Sequence, residues 1–208
     1  MNNPVLFLDF DGPLFPERVI RHGPSMTVYP GIKVFHPFIT YWEMDETSVR
    51  QLNSLYDIYP FDTVVSSSWR HYCDRDHVEE LFQVNGLKLH LHDTWYTPSK
   101  MSSYRVNEIS WWLDDHTEHR EDNSYVAPAH IILDDPWSGN SLEGGGWKDS
   151  ALQEPFMVDP DVGIDSDCYK NMRKVVKSWR DDYVSRSYVR NFPKRVYDSF
   201  PTYHDGLD

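Results

Sequence analysis

An α/β fold built on a doubly wound parallel sheet is the architecture this sequence predicts, and two observations predict it. Val5-Leu6-Phe7-Leu8 and Ala129-His130-Ile131-Ile132-Leu133 are short, nearly continuous apolar runs, the pattern of parallel strands covered on both faces. Each run ends in acids, Asp9-Phe10-Asp11-Gly12 after the first and Asp134-Asp135-Pro136 after the second. Chemistry in open α/β sheets gathers at the carboxyl ends of the strands, so two neighbouring strands of this kind would bring four carboxylates to one catalytic edge.

Taken in order, the remaining elements support that frame. Residues 15–60 hold Pro16, Pro24, Pro30 and Pro37 among many aromatics. The stretch is too long for a simple loop and too short for a large cap domain, so it predicts a small cover followed by a helix over residues 45–56. Phe61-Asp62-Thr63-Val64-Val65 is a β-branched strand that delivers Ser66-Ser67-Ser68-Trp69-Arg70 to the same edge. Hydroxyls, backbone N–H groups and a guanidinium arriving together are phosphate-binding groups, with Ser67 and Arg70 as candidate substrate contacts.

His90 and His92 alternate with Leu89 and Leu91, which reads as an external strand face and not as a zinc pair. Val106, Ile109, Trp112 and Leu113 then recur at helical spacing. Arg105 lies in the first turn of that helix, with Lys100 just upstream, and either would supply a cation for a phosphate. His116 and His119 fall where the helix runs out into polar sequence and read as solvated. Residues 138–148, with Gly144-Gly145-Gly146, form a loop, and no phosphate-binding loop of the Walker kind occurs.

Four carboxylates at one edge would repel one another unless a cation joined them. Hard oxygen ligands in small number, with room for water, suit Mg²⁺.

The order Asp9-Phe10-Asp11-Gly12-Pro13-Leu14, a strand ending in Ser66, a basic residue opening a helix, and Asp134-Asp135 after a strand resembles the four motifs of the haloacid dehalogenase (HAD) superfamily. Ser66-Ser67-Ser68-Trp69-Arg70, Arg105-Val106-Asn107-Glu108-Ile109 and Ile132-Leu133-Asp134-Asp135 are similar to the HAD branch described from RNA-repair and phage proteins. Phe156-Met157-Val158-Asp159 resembles that branch's last strand. The likeness spans residues 1–166.

The resemblance implies a Rossmann-like core with a small cap and a Mg²⁺-dependent phosphatase. Asp9 would be the nucleophile, Asp11 the general acid and base, and Ser66 with Arg105 or Lys100 the phosphate clamp. Mg²⁺ would take Asp9, the backbone carbonyl of Asp11 and Asp134, with Asp135 close by. Pro13 and Val106 depart from the family's usual residues, and the third motif usually carries Lys where Arg105 stands here.

Bulk properties set the substrate classes. The 208 residues suffice for one α/β domain with an appendage, and two cysteines with no apolar run of membrane length predict a soluble protein of a reducing cytoplasm, a host's if the chain is phage-encoded. A net charge of −13 disfavours long nucleic acid, though binding at an end stays open. Residues 169–197 run against this, with nine Lys or Arg against Asp181 and Asp182, a balance of +7 that leaves −20 elsewhere.

Met172, Val175, Val176, Trp179 and Tyr183 give that segment an amphipathic helix over residues 169–185, within a basic, aromatic extension over residues 167–208. It would either pack on the acidic body or form a cationic wall over the site, offering Tyr188, Phe192 and Tyr197 to a base. The expected substrate is a small phosphate ester, a nucleoside monophosphate first. The alternatives are a 3′-phosphorylated nucleic-acid end and a non-catalytic binding protein on the same scaffold. Nothing in the sequence sets the oligomeric state.

Overall fold

The computed structural model of the chain describes residues 3–22, 43–99, 104–119, 121, 125–136, 152, 155–181 and 188–189. Its centre is a parallel sheet of β1 (Val5–Leu8), β2 (Asp62–Val65), β3 (His90–Tyr96), β6 (His130–Asp134) and β7 (Phe156–Met157), in the order β3-β2-β1-β6-β7. From β1 the chain builds outward to β2 and β3 and then crosses back to β6 and β7 on the other side, so the strand order reverses at β1 and opens a crevice above its carboxyl end.

Strand alternation sorts the core into two layers. Leu6, Leu8 and Phe10 join one cluster with α2 (Glu46–Ile58), α3 (Arg75–Val84) and α5 (Ser166–Asp181), whereas Val5 and Phe7 meet Ile109, Trp112 and Leu113 of α4 (Arg105–Asp115) in the other. All of these strand residues are at most 2 % exposed, which is why the runs read as continuously apolar.

α2 starts where Asp45 caps it, its Oδ2 accepting from Ser48 N at 2.8 Å, and it buries Val49, Leu52 and Leu55. The helix of the 15–60 segment therefore belongs to the core layer and is not part of a cover. Of the remainder, α1 (Glu17–His22) is described and residues 23–42 lie outside the described residues.

α5 takes the first of the two arrangements expected of it and packs on the body. Met172, Val176 and Trp179 are buried in the main cluster and the helix packs on α2 and β7, while Lys170, Arg173 and Lys174 face solvent. The acidic body does not cover these cations: Lys170 pairs with Asp167 on its own helix and Lys174 donates to Asn171.

A second, antiparallel sheet joins β4 (Glu118–His119), β5 (Tyr125–Ala127) and β8 (Tyr188–Val189). Tyr188 thus sits in a strand; Phe192 and Tyr197 lie outside the described residues, as does the glycine-rich loop of residues 138–148. Among the described residues no helix is long and apolar enough to cross a membrane.

Candidate active site

Register builds the site. Leu8 pairs with Val65 on one side and Leu133 on the other, so the next residues along the three strands are Asp9, Ser66 and Asp134. Two residues beyond Phe7, Asp9 turns to the α4 side of the sheet, where Arg105 begins the helix. One guanidinium nitrogen, Arg105 Nη1, lies 2.9 Å from Asp9 Oδ2 and donates to Asp134 Oδ2 at 3.0 Å. All three side chains are buried. Lys100, the other candidate for the cation, lies outside the described residues.

The acids are fixed by backbone as well. Asp9 Oδ1 accepts from Phe10 N and Asp134 Oδ1 from Asp135 N, each at 2.8 Å. Burial raises the pKa of Asp134 well above the usual carboxylate range and the Asp9 charge raises it further, while Arg105 opposes both. For Arg105 burial acts downward, but Asp9 and Asp134 together outweigh it and the guanidinium is held charged.

Gly12 makes room for the fourth acid. Its φ of +82° is left-handed, and a Cβ there would stand 2.4 Å from Asp135 Oδ2, so both the turn and the approach of Asp135 require glycine. Asp11 lies on the other side of this loop, where Trp69 Nε1 donates to both its oxygens at 3.2 and 3.1 Å. Burial, then the neighbouring Asp9, pushes the Asp11 carboxyl up to about 6 against that hydrogen bond.

The turn after β2, a 3₁₀ turn over Ser68–His71, carries the remaining predicted groups. Ser66 is 2 % exposed and its Oγ has no hydrogen-bond partner. Ser67 caps the turn, its Oγ accepting from Trp69 N. Arg70, expected to contact substrate, is instead engaged by protein: Nη1 donates to Ser67 O at 2.6 Å and Nη2 to Glu108 Oε2 at 2.7 Å. Sequence reasoning assigned no role to Trp69 or Glu108. Both stand inside motif stretches it singled out, but their partners lie 58 and 38 residues away along the chain.

Asp9, Asp134 and Asp135 each offer an oxygen within 4.8 Å of the others, and all are buried. Three carboxylates around one guanidinium leave surplus negative charge in a desolvated space, and a hard divalent cation with oxygen ligands balances it. The residues fit Mg²⁺. The Asp11 carboxylate is not in this cluster; its expected contribution is through its backbone carbonyl.

His90 meets Asp62 at 3.3 Å, and the His92 ring packs edge-on against Trp112 and His116. His116 is not simply solvated, as expected from sequence, because its ring stacks on Trp112 at the end of α4. His119 is exposed and packs edge-on against Tyr125.

Residues 5–168 match the family model described as the HAD domain in Swiss Army Knife RNA repair proteins. The chain belongs to this family. The match takes in every motif of the HAD site described above, from Asp9 through Ser66 and Arg105 to Asp134 and Asp135, and supports a phosphatase-type function. It ends at the third residue of α5. No curated protein and no solved structure gives a significant match to the chain.

Proposed function

We propose that the protein is a Mg²⁺-dependent phosphomonoesterase that works through an aspartyl-phosphate on Asp9. One observation carries this reading: the Arg105 guanidinium bridges the buried carboxylates of Asp9 and Asp134, with Asp135 beside them, at the carboxyl edge of a parallel sheet. A guanidinium held there carries further N–H donors that can define where a phosphoryl group sits.

In the proposed reaction an Asp9 carboxylate oxygen attacks phosphorus and the ester P–O bond breaks. Asp11, with its carboxyl pushed up to about 6, gives its proton to the leaving oxygen. Water then attacks the phosphorus of the acyl phosphate and Asp11 takes a proton back, so that phosphate departs and both carboxyls are restored. The orphan Ser66 Oγ donates to a phosphoryl oxygen, which satisfies a buried hydroxyl that otherwise has no partner. Mg²⁺ would be held by Asp9, Asp134 and the Asp11 carbonyl, with Asp135 close by, and supplies neutralisation of charge on the phosphoryl oxygens.

A nucleoside monophosphate leads as substrate. The family's description, from RNA-repair proteins, supports a second reading in which the phosphate sits at a nucleic-acid 3′ end, with the exposed cations of α5 meeting the strand. Salt separates the two, since activity on an oligonucleotide would fall steeply with salt and activity on a mononucleotide would not.

The test is phosphate release from nucleoside 3′- and 5′-monophosphates, sugar phosphates, 3′-phosphorylated oligonucleotides and p-nitrophenyl phosphate, with Mg²⁺ or EDTA, alongside Asp9→Asn. Metal-dependent release that disappears in Asp9→Asn is the expected result. Equal release by both proteins would sink the mechanism, and none from any substrate would leave a binding protein on a HAD scaffold.

A further inference from the structure

Five cations share one face of α5. Lys170, Arg173, Lys174, Lys177 and Arg180 follow one another within one helical turn at each step, which sets them in a row about 15 Å long, with only Asp167 and Asp181 against them in the helix. Like charges at that spacing oppose a helix, so nothing in the stability of α5 calls for them. Four of the five are exposed and Lys177 is half-buried. Arg173 and Lys177 make no ion pair among the described residues, and the pair of Lys170 with Asp167, 65 % and 81 % exposed, is worth little in water.

The surroundings of the row select what it fits. Asp167, Lys170, Asn171, Arg173, Lys174 and Lys177 wall a hollow of about 440 Å³, and none of them is apolar. The apolar side of the helix, Met172, Val176 and Trp179, is buried in the core, so α5 has no face left to enter a lipid layer. A specific protein interface has an apolar centre, which this face lacks. A partner recognised by repeated negative charge alone remains, and the sugar–phosphate backbone of a nucleic acid is that partner.

α5 starts near the catalytic edge and runs away from it. A Cβ on Gly163, three residues before the helix, would stand 3.4 Å from the Gly12 carbonyl, in the turn after β1. At the far end the Trp179 ring meets Phe61, just before β2, edge-on at 6.1 Å. Lys170 therefore lies toward the carboxyl edge of the sheet and Arg180 toward its amino edge. On a chain of net charge −13 the rest of the surface repels a strand, which confines it to this line. The family match stops at residue 168, so all five cations lie beyond the matched HAD domain.

We propose that the cationic row of α5 binds the phosphodiester backbone of a nucleic-acid strand, whatever its sequence. The row is separate from the acids of the catalytic edge, and binding there needs no turnover. The inference therefore stands or falls apart from the phosphatase reading.

Fluorescence anisotropy tests it with a labelled single-stranded oligoribonucleotide of mixed sequence, about twelve nucleotides long and ending in a 3′-hydroxyl. The logarithm of the affinity should fall with the logarithm of the salt concentration, with a slope of about −3 for four or five contacts. Lys170→Gln, Lys174→Gln and Lys177→Gln together should weaken binding roughly tenfold or more at low salt and flatten the slope by about 2. Lys88→Gln, which removes an exposed cation paired with Asp57 elsewhere on the surface, should change neither.

The melting temperature of the triple variant should hold or rise, because repelling neighbours leave the helix, and this separates lost binding from lost fold. No binding by the wild type, binding indifferent to salt, or a triple variant that loses no more than Lys88→Gln would overturn the assignment. Polyglutamate that displaces the strand at equal charge would overturn it too, and would turn the row toward an acidic protein.

Discussion

Arg105 and Arg70 are buried guanidiniums one helical turn apart, one opening α4 and the other paired with Glu108 three residues along it. Both side chains are less than a tenth exposed. Arg70 meets one carboxylate and one carbonyl, so its charge is matched one to one although its buried Nε has no partner, and burial, the largest influence on it, lowers its pKa despite Glu108. Arg105 faces two carboxylates with a third nearby, and those charges outweigh its burial. A balanced buried pair holds structure together; an unbalanced one is waiting for a further cation and an anion.

Breaking each arrangement should therefore give different results. Arg105→Met strands three buried acids and should destabilise the metal-free protein by about 3–5 kcal/mol, with turnover lost; Mg²⁺ should return part of the melting temperature. A small loss that Mg²⁺ leaves unchanged would mean that the acids are not a charged cluster.

Asp134→Asn should act oppositely on the metal-free fold. Its ionised form is already disfavoured by burial and by Asp9, so removing the charge should leave the melting temperature level or higher. The stabilisation by Mg²⁺ should vanish with it, about 2.7 kcal/mol at a hundredfold excess over Kd. An intact Mg²⁺ response would remove Asp134 from the metal site.

The pair at Arg70 should behave as a unit. Glu108→Gln alone leaves a buried guanidinium short of its counter-charge, whereas Arg70→Met with Glu108→Leu replaces both and should recover most of the stability, a coupling of roughly 1–3 kcal/mol. Additive losses would show that the two residues serve separate roles.

These differences explain how far the sequence could be read. β1 and β6 were legible because burial on both faces writes a continuous apolar run, and the acids follow at once. The parallel register, which no local pattern encodes, then joins Asp9, Ser66 and Asp134. Trp69 on Asp11 and Glu108 on Arg70 stayed hidden because each contact crosses many residues and either partner alone looks ordinary. His116 read as solvated since its polar surroundings in sequence do not show the Trp112 ring beneath it. The short strands β4, β5 and β8, of two or three residues, are too brief to carry a period of their own. α5 looked appended because its charge differs from the body, yet burial follows its apolar stripe and not its charge.

The smallest expected effect concerns the acid outside the metal cluster. Asp11 must carry a proton to donate it, and with a pKa of about 6 the protonated fraction falls as pH rises through that value. Phosphorylation of Asp9, followed in a single turnover, should slow above about pH 6. Trp69 donates to both Asp11 oxygens and so favours the carboxylate; Trp69→Phe removes that donor while keeping a ring against Phe15, on which the indole stacks. The Asp11 pKa should rise and the descending limb should move to higher pH. Hydrolysis of the acyl phosphate, which needs the carboxylate, should become slower at neutral pH in the same variant. A limb that stays in place or moves to lower pH would mean that Asp11 is not the proton donor.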